Sequence, residues 1–333
     1  MDGVSAILDV DLLAFESGTS EQRAAVVDGV MRSLRTGFVY TSHDLSDDLL
    51  DTAYGMLETF FSLPAEEKQA AVVPGTNGQV GYTGLLVETA ASSDHPDWKE
   101  MVNWGMDLPE GHPLKVRYPR RYRGPHLPEA QVPGITKVLV ELYDRLLDLQ
   151  RRFLRIIAVG IGCHESFFDG MTENGTTLAR AIHYPAMDLA PGHQHVWAGA
   201  HGDINLITAL PRATARGLQV LVGEGDDPEA EPGTWVDAAP PDDQVIINTG
   251  IMLERITNAV IPQGIHRVVA DPDQPGDRYS VVQFCHPTPW TILAPVPSCI
   301  TPEHPQRFAP IEAGDLLDQV LYDINLVEEA RRV

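Results

Sequence analysis

Four parts of the chain repeat apolar residues every three or four positions, which is the period of an α-helix with one buried face. The first begins at Thr19, whose spacing from Gln22 is that of a capping box. The second begins at Ser46. The third is the longest and predicts a helix over 135–158, and the last predicts an amphipathic helix over Leu316–Val327.

From residue 178 onward the apolar residues form short runs rich in β-branched and aromatic side chains, separated by Pro, Gly and Asp. The runs are Leu178–Tyr184, Asn205–Leu210, Gly217–Val222, Gln244–Asn248, Ile265–Ala270 and Tyr279–Phe284. Short strands at this spacing predict an antiparallel sandwich or barrel. The predicted fold class is therefore mainly β with flanking helices.

Neither a repeat nor a long linker divides the chain, so we expect one cooperative unit built from three segments. Residues 1–110 are predicted to form a helical and mixed N-terminal region that packs on the core. Residues 111–310 supply the β-core together with the long helix, and residues 311–333 supply the C-terminal helix. Two segments rich in Gly, Pro or Arg, 75–84 and 113–128, are predicted loops.

The net charge of the chain argues against two classes of binding partner. The 333 residues include 47 acidic and 24 basic side chains, a net charge of −23. Such a surface repels phosphate backbones and anionic lipids, so we expect neither a nucleic-acid partner nor a membrane partner. The segment 1–15 contains Asp but no Lys or Arg, unlike a signal peptide, and we expect a cytoplasmic protein. The oligomeric state stays open.

One basic island interrupts this acidic composition. Its members lie between two predicted elements and are Lys115, Arg117, Arg120, Arg121 and Arg123. A cluster of this kind could attract an anionic substrate. A solvated linker is the simpler interpretation, and we expect it here.

A candidate metal site is formed by His201, Asp203 and His266. His201 and Asp203 flank a glycine just before an apolar β-run, and His266 lies in a later run. In a strand, residues two apart project from the same face, so His201 and Asp203 could both point into a barrel interior. Two histidines and one carboxylate leave three coordination positions open, which suits a non-haem Fe(II) that must bind a cosubstrate and O2.

Arg278 and Ser280 follow His266 across a turn and are expected to share one strand face. A planar guanidinium beside a hydroxyl can hold a carboxylate in a fixed pose. A His-x-Asp pair is common by chance in a chain with 12 histidines, so the metal interpretation depends on the order and β-context of all these residues. His193 and His195 could form a second metal-binding or substrate-facing pair, but we expect solvated loop residues.

Several stretches of the chain resemble one enzyme family, from about residue 6 to about residue 290. In the β-region they are His201-Gly-Asp-Ile-Asn-Leu-Ile-Thr, Gly217-Leu-Gln-Val, Val245-Ile-Ile-Asn248-Thr-Gly, His266-Arg-Val and Arg278-Tyr-Ser280. Upstream they are Gly37-Phe38-Val39-Tyr40, Phe60-Phe61-Ser62-Leu63-Pro64-Ala65-Glu66-Glu67-Lys68, Gly81-Tyr82 and Asp97-Trp98-Lys99-Glu100. The chain thus resembles the isopenicillin N synthase-like family, which consists largely of Fe(II)- and 2-oxoglutarate-dependent oxygenases.

The resemblance implies a distorted double-stranded β-helix, or jelly roll, with Fe(II) as cofactor and with 2-oxoglutarate and O2 as cosubstrates. The implied iron ligands, which are also the catalytic residues, are His201, Asp203 and His266. The implied 2-oxoglutarate-binding residues are Arg278, Ser280 and Tyr184. The chain departs from the family pattern at Ile182, where members often carry Asn.

The activity implied by the resemblance is oxidation of a C–H bond in a small organic substrate, expected to be a specialised metabolite such as an antibiotic precursor. Hydroxylation, desaturation, ring closure and epoxidation are all open. One alternative is an Fe(II) oxidase of the isopenicillin N synthase type, which does not use 2-oxoglutarate. Another is a non-catalytic small-molecule-binding protein on the same fold, although an intact buried ligand set is costly to keep without its metal. A zinc hydrolase would leave the Arg-x-Ser pair without a role.

Overall fold

The computed structural model describes residues 7–76, 79–87, 97–186, 196–223, 233–241, 243–270 and 276–323. The α-helices in these ranges are α1 (Leu12–Ser17), α2 (Ser20–Ser33), α3 (Asp47–Phe61), α4 (Ala65–Gln69), α5 (Pro113–Arg117), α6 (Ile135–Gly160), α7 (Asp169–Thr172), α8 (Ile251–Ile256) and α9 (Ala313–Asp323). None of these described helices combines the length and the apolar composition that crossing a membrane requires.

Two sheets, antiparallel except for one pair of strands, form the centre of the molecule. The strands in the described ranges are β1 (Asp9–Val10), β2 (Phe38–Thr41), β3 (Gly81–Thr83), β4 (Glu100–Gly105), β5 (Leu178–Tyr184), β6 (Val196–His201), β7 (Ile207–Leu210), β8 (Leu218–Val222), β9 (Thr234–Asp237), β10 (Val245–Thr249), β11 (His266–Val269), β12 (Arg278–Cys285), β13 (Ile292–Leu293) and β14 (Ile311–Glu312). The large sheet has the order β1-β2-β10-β7-β12-β5-β4-β3, with β1 parallel to β2, and the small sheet has the order β6-β11-β8-β9. The predicted jelly roll with flanking helices is confirmed.

Capping and burial explain where the main helices begin and which face they bury. The Thr19 side chain accepts from the backbone N–H of Gln22, and the Gln22 side chain accepts from the backbone N–H of Thr19, so the predicted capping box is confirmed. Ser46 caps α3 as predicted. The predicted long helix is also confirmed: α6 extends to Gly160 and packs its apolar stripe against β7 and β12.

Alternating residues of the large sheet belong to two different cores. On β5, Ile182 and Tyr184 lie on the side that faces the small sheet, whereas Ala179 and Ala181 lie in the cluster formed with the helices. The helices therefore cover one face of the large sheet, and the small sheet covers the other. The space between the two sheets is where the candidate site residues meet.

Four expectations about organisation need correction. The N-terminal region does more than pack on the core, because β2 pairs with β10 and β4 pairs with β5 inside the large sheet. The predicted loop 75–84 contains β3, and the predicted loop 113–128 begins with α5. The loop expected around His193 and His195 gives way to β6 before it reaches His201. β6 is short and rich in Ala and Gly, so its strand conformation depends on pairing with β11 rather than on its own propensity. The segment boundaries at 110 and 310 stay predictions.

The C-terminal helix begins earlier than expected. α9 begins at Ala313 rather than at Leu316. Its described part ends at Asp323, so the predicted end at Val327 lies outside the described residues. Arg121, from the basic island, donates to the carbonyl oxygen of Gly314 and thereby ties the start of α9 to the segment before α6.

Candidate metal centre

His201 and His266 lie opposite each other on neighbouring strands of the small sheet. β6 ends at His201 and β11 begins at His266, and the antiparallel register pairs the two residues directly. Their ring centroids are 4.4 Å apart. Strand pairing thus brings together two imidazoles that are distant in the sequence.

Each of these rings is oriented by the backbone carbonyl two residues earlier. Nδ1 of His201 lies 2.7 Å from the oxygen of Gly199, and Nδ1 of His266 lies 3.0 Å from the oxygen of Gly264. A carbonyl oxygen can only accept, so in this arrangement each Nδ1 donates and each Nε2 is the ring nitrogen left for a metal ion. Histidines that bind metals are typically oriented in this way.

Asp203 supplies a carboxylate from the connection between the two sheets. The expectation that it shares a strand face with His201 is wrong, because β6 ends at His201 and the chain then crosses to β7. Oδ2 of Asp203 accepts hydrogen bonds from Asn248 Nδ2, at 2.7 Å, and from the hydroxyl of Thr208, which leaves Oδ1 for another partner. Burial by itself raises the pKa of Asp203, but the charges of His266 and His201 and these hydrogen bonds hold it below its ordinary value.

One donor atom from each of His201, Asp203 and His266 lies within 4.8 Å of the other two. In the described part of the chain, no other group of three His, Cys, Asp or Glu residues comes together in this way. Burial, followed by the charge of His266, lowers the pKa of His201 to about 4. The ring is therefore neutral at pH 7, as a metal ligand must be. Two imidazoles and one carboxylate on one side of a pocket fit a ferrous ion.

Arg278 and Ser280 lie on β12 and line the same pocket. Arg278 is only 1% exposed; its Nη1 donates to Ser280 Oγ at 3.2 Å and its Nε donates to the oxygen of Ala215 at 3.1 Å. Its guanidinium lies 5.1 Å from the ring centroid of Tyr184, its partner on β5. Burial lowers the pKa of Arg278, and among the described residues no carboxylate pairs with it. A buried cation of this kind is suited to a carboxylate ligand.

The pocket also contains residues that sequence reasoning missed. Asn248 and Thr208 hold Asp203, and Lys99 and Arg180 line the pocket wall. Asn248 follows Ile246 by two positions on β10, and both face the pocket. This alternation is a signal that could have identified Asn248. We find no comparable signal for Lys99, which lies just before β4 in a polar stretch.

Two further sequence observations concern the pair His193 and His195 and the residue Ile182. His193 and His195 fall in 187–195, outside the described residues, so their expected role as solvated loop residues stays a prediction. Ile182, which replaces the Asn of the family pattern, lines the pocket beside Tyr184. An apolar side chain at that position contributes packing but no hydrogen bond to a ligand.

Two family models match the chain. The model described as the N-terminal region of the non-haem dioxygenase in morphine synthesis matches residues 7–129. The model of the 2OG-Fe(II) oxygenase superfamily matches residues 177–287. The second range contains all the candidate metal- and carboxylate-binding residues described above.

Individual proteins agree with the family models. The 2-oxoglutarate-Fe(II) type oxidoreductase hxnY of Emericella nidulans is 27% identical over 92% of this chain and 87% of its own. A crystal structure of a 2OG-Fe(II) oxygenase family protein from Caulobacter crescentus is 33% identical, with a TM-score of 0.82 over 96% of this chain and 100% of that chain. A full-length Neurospora crassa protein, crystallised in complex with alpha-KG and thymine, is 26% identical, with a TM-score of 0.80 over 96% of this chain and 97% of that chain. The chain therefore belongs to the 2OG-Fe(II) oxygenase superfamily and is an Fe(II)- and 2-oxoglutarate-dependent dioxygenase.

Proposed function

We propose that the iron of this dioxygenase is held by His201, Asp203 and His266. The observation that carries this assignment is their arrangement, with three donor atoms within 4.8 Å of one another. The Nδ1 hydrogen bonds to Gly199 and Gly264 support it, because they occupy one nitrogen of each ring and leave Nε2 for the metal. Three protein ligands on one side leave coordination positions for 2-oxoglutarate and O2.

We assign the distal carboxylate of 2-oxoglutarate to Arg278, with Ser280 and Tyr184 completing the contact. The support is the burial of a guanidinium that no described carboxylate neutralises. A buried charge is costly unless it is paired, so an anionic ligand stabilises this arrangement. The Ser280 hydroxyl, 3.2 Å from Nη1, keeps the guanidinium plane in place and can itself donate to the same carboxylate.

The reaction that we propose is oxidation of a C–H bond in a small organic substrate, with hydroxylation as the first expectation and desaturation, ring closure or epoxidation as variants. When bound, iron supplies the oxidising chemistry from O2 and 2-oxoglutarate. The chain's own residues bind and orient the reactants between two sheets, where water is excluded. The complex of the Neurospora crassa protein with thymine supports a small organic substrate. A place in specialised metabolism such as antibiotic biosynthesis, and a cytoplasmic location, are part of this proposal.

The proposed site can be tested by titrating the protein with Fe(II) and then with 2-oxoglutarate in the absence of O2. We expect a visible charge-transfer band that needs both additions, and succinate formation once O2 is admitted. The His266→Ala protein should give no band while keeping a melting temperature close to that of the wild type. His164→Ala, which removes an exposed histidine, is the matched control and should behave as the wild type. A full band in the His266→Ala protein would overturn the ligand assignment.

A further inference from the structure

A second cavity, which we call the basic cavity, lies where the basic island turns inward. It has a volume of about 520 Å³, and its charged or polar lining includes Arg120, Arg121, Arg123, His286, Gln79 and Asp318. The expectation of a solvated linker is therefore wrong for Arg121 and Arg123, which are partly buried, whereas Arg120 is exposed at the rim. Asp318 is the one carboxylate among the lining residues and pairs with Arg121 at 2.6 Å. Three guanidinium groups facing one carboxylate form a positive site in a protein with a net charge of −23.

Three residues that line the basic cavity each carry a buried polar atom without a partner. Nη1 of Arg123, Nδ1 of His286 and Nε2 of Gln79 are buried and have no hydrogen-bond partner among the described residues. His286 is only 8% exposed. Burial, followed by the charges of Arg120 and Arg121, lowers the pKa of Arg123. Buried polar groups are nearly always hydrogen-bonded, so this set is suited to a ligand that brings negatively charged oxygens.

The basic cavity lies next to the metal pocket along the inner face of the large sheet. On β5, Arg180 lines the metal pocket and Leu178, two residues away on the same face, lines the basic cavity. On β12, Phe284 lines the metal pocket, and His286, again two residues on, lines the basic cavity. The two cavities are thus neighbours along β5 and β12, and between them the guanidinium of Arg180 lies 5.4 Å from the ring centroid of Phe284.

Electrostatics and size agree with this placement of the basic cavity beside the metal pocket. Burial lowers the pKa of His286 to about 4, with the charge of Arg121 lowering it further and that of Asp203 raising it, so His286 lies within electrostatic reach of both. The metal pocket has a volume of only about 60 Å³. Pockets for small organic ligands usually measure roughly 300–1,000 Å³. The basic cavity has the volume that a small organic substrate needs and that the metal pocket lacks.

We propose that the basic cavity binds an anionic oxygen group of the substrate, so that this dioxygenase acts on small organic acids. The inference rests on the proposed function, because it takes the metal pocket as the place of oxidation. A carboxylate or a phosphate ester has the required chemistry, since both accept two hydrogen bonds from a planar guanidinium. Arg123 and His286 bind the anion, and the carbon skeleton passes Phe284 to present a C–H bond to the metal pocket.

The experiment measures binding of benzoate, phenyl phosphate and benzamide by calorimetry to the protein loaded with Fe(II) and saturating 2-oxoglutarate, without O2. We expect at least one of the two anions to bind roughly tenfold or more tightly than benzamide, because charge-assisted hydrogen bonds are stronger than neutral ones. Whichever anion binds more tightly shows whether the cavity prefers a carboxylate or a phosphate ester. Equal binding of benzamide and both anions, or no binding of either anion at millimolar concentration, would overturn the proposal.

Variants of the basic island assign the effect to the cavity. Arg123→Gln should weaken anion binding roughly tenfold and leave benzamide binding unchanged. Arg123→Lys should weaken anion binding less, because lysine keeps the positive charge. Arg117→Gln is the matched control, because Arg117 belongs to the same island but lies exposed outside the cavity. Equal affinities in the Arg123→Gln and Arg117→Gln proteins would contradict the proposal. The charge-transfer band of the wild type reports separately on the metal site, so a failure of the proposed function is distinguishable.

Discussion

Asn248 donates a hydrogen bond of 2.7 Å from its side-chain amide to Oδ2 of Asp203. The two residues come from different parts of the chain, β10 and the crossover between the sheets, and meet only in the folded protein. The bond leaves the other carboxylate oxygen for a metal ion. Asn248 thus positions a ligand without contacting the metal itself.

The first prediction concerns this bond. Asn248→Ala should weaken metal affinity by about 10- to 100-fold, because groups that orient metal ligands typically contribute that much. The measurement is an anaerobic Fe(II) titration, with the melting temperature recorded to verify folding. Gln306→Ala, which removes an exposed amide, serves as control. Unchanged affinity in the Asn248→Ala protein would show that Asp203 binds the metal without the hydrogen bond from Asn248.

The second prediction concerns the buried guanidinium of Arg278. Truncating one partner of a buried charge pair typically costs about 2–5 kcal/mol, and a tenfold change in affinity corresponds to about 1.4 kcal/mol. Arg278→Ala should therefore weaken 2-oxoglutarate binding at least tenfold. The affinity of the Arg278→Lys protein should lie between those of the Arg278→Ala protein and the wild type. The affinity can be read from the charge-transfer band. Arg155→Ala, whose side chain is 43% exposed, should leave it unchanged.

The third prediction concerns metal removal. Metal that binds only the folded protein stabilises it by mass action, about 2.7 kcal/mol at a concentration of 100 Kd. Mn(II), a redox-stable substitute for Fe(II), should therefore raise the unfolding free energy of the wild type, and a chelator should reverse the effect. The Asp203→Ala protein should show no such stabilisation. Asp28→Ala, a surface change on α2, should respond to Mn(II) like the wild type.

The fourth prediction concerns pH and a buried carboxylate outside the metal pocket. Glu100 accepts hydrogen bonds from Lys68 Nζ at 2.8 Å, from His183 Nδ1 at 2.7 Å and from the hydroxyl of Tyr82. Burial raises its pKa, but these donors outweigh burial and hold the pKa of Glu100 below its ordinary value. Its stabilising contribution is therefore complete above the unfolded-state pKa of about 4.3 and is lost as the pH falls through the folded-state pKa.

Glu100→Gln should accordingly lower the unfolding free energy at pH 7 by about 3–5 kcal/mol, the usual cost of breaking a buried pair. The difference from the wild type should shrink as the pH falls below about 4. Urea unfolding at a series of pH values measures it. Glu66→Gln, at an exposed position on α4, is the control. A difference that does not change with pH would rule out Glu100 as the titrating group.

Local signals in the sequence are sufficient for several elements. The capping box at Thr19, the stripe of α6 and the run that forms β5 were all predictable, because caps and periodicity depend on residues a few positions apart. β6 was not predictable in this way. Its Ala- and Gly-rich sequence has little strand propensity, and only its register with β11 makes it a strand.

For the site, the sequence by itself determined the types and the order of the candidate ligands, since an imidazole or a carboxylate keeps its chemistry wherever it lies. Only the tertiary structure decided which of them meet. His201 reaches His266 through strand register, and Asp203 reaches them from a crossover that sequence reasoning took for a strand. The same holds for Arg123, whose charge would be screened by water on a solvated linker and interacts more strongly with an anion inside a cavity. Distance and burial depend on contacts between segments far apart in the chain, and these set the strength of a charge or a hydrogen bond.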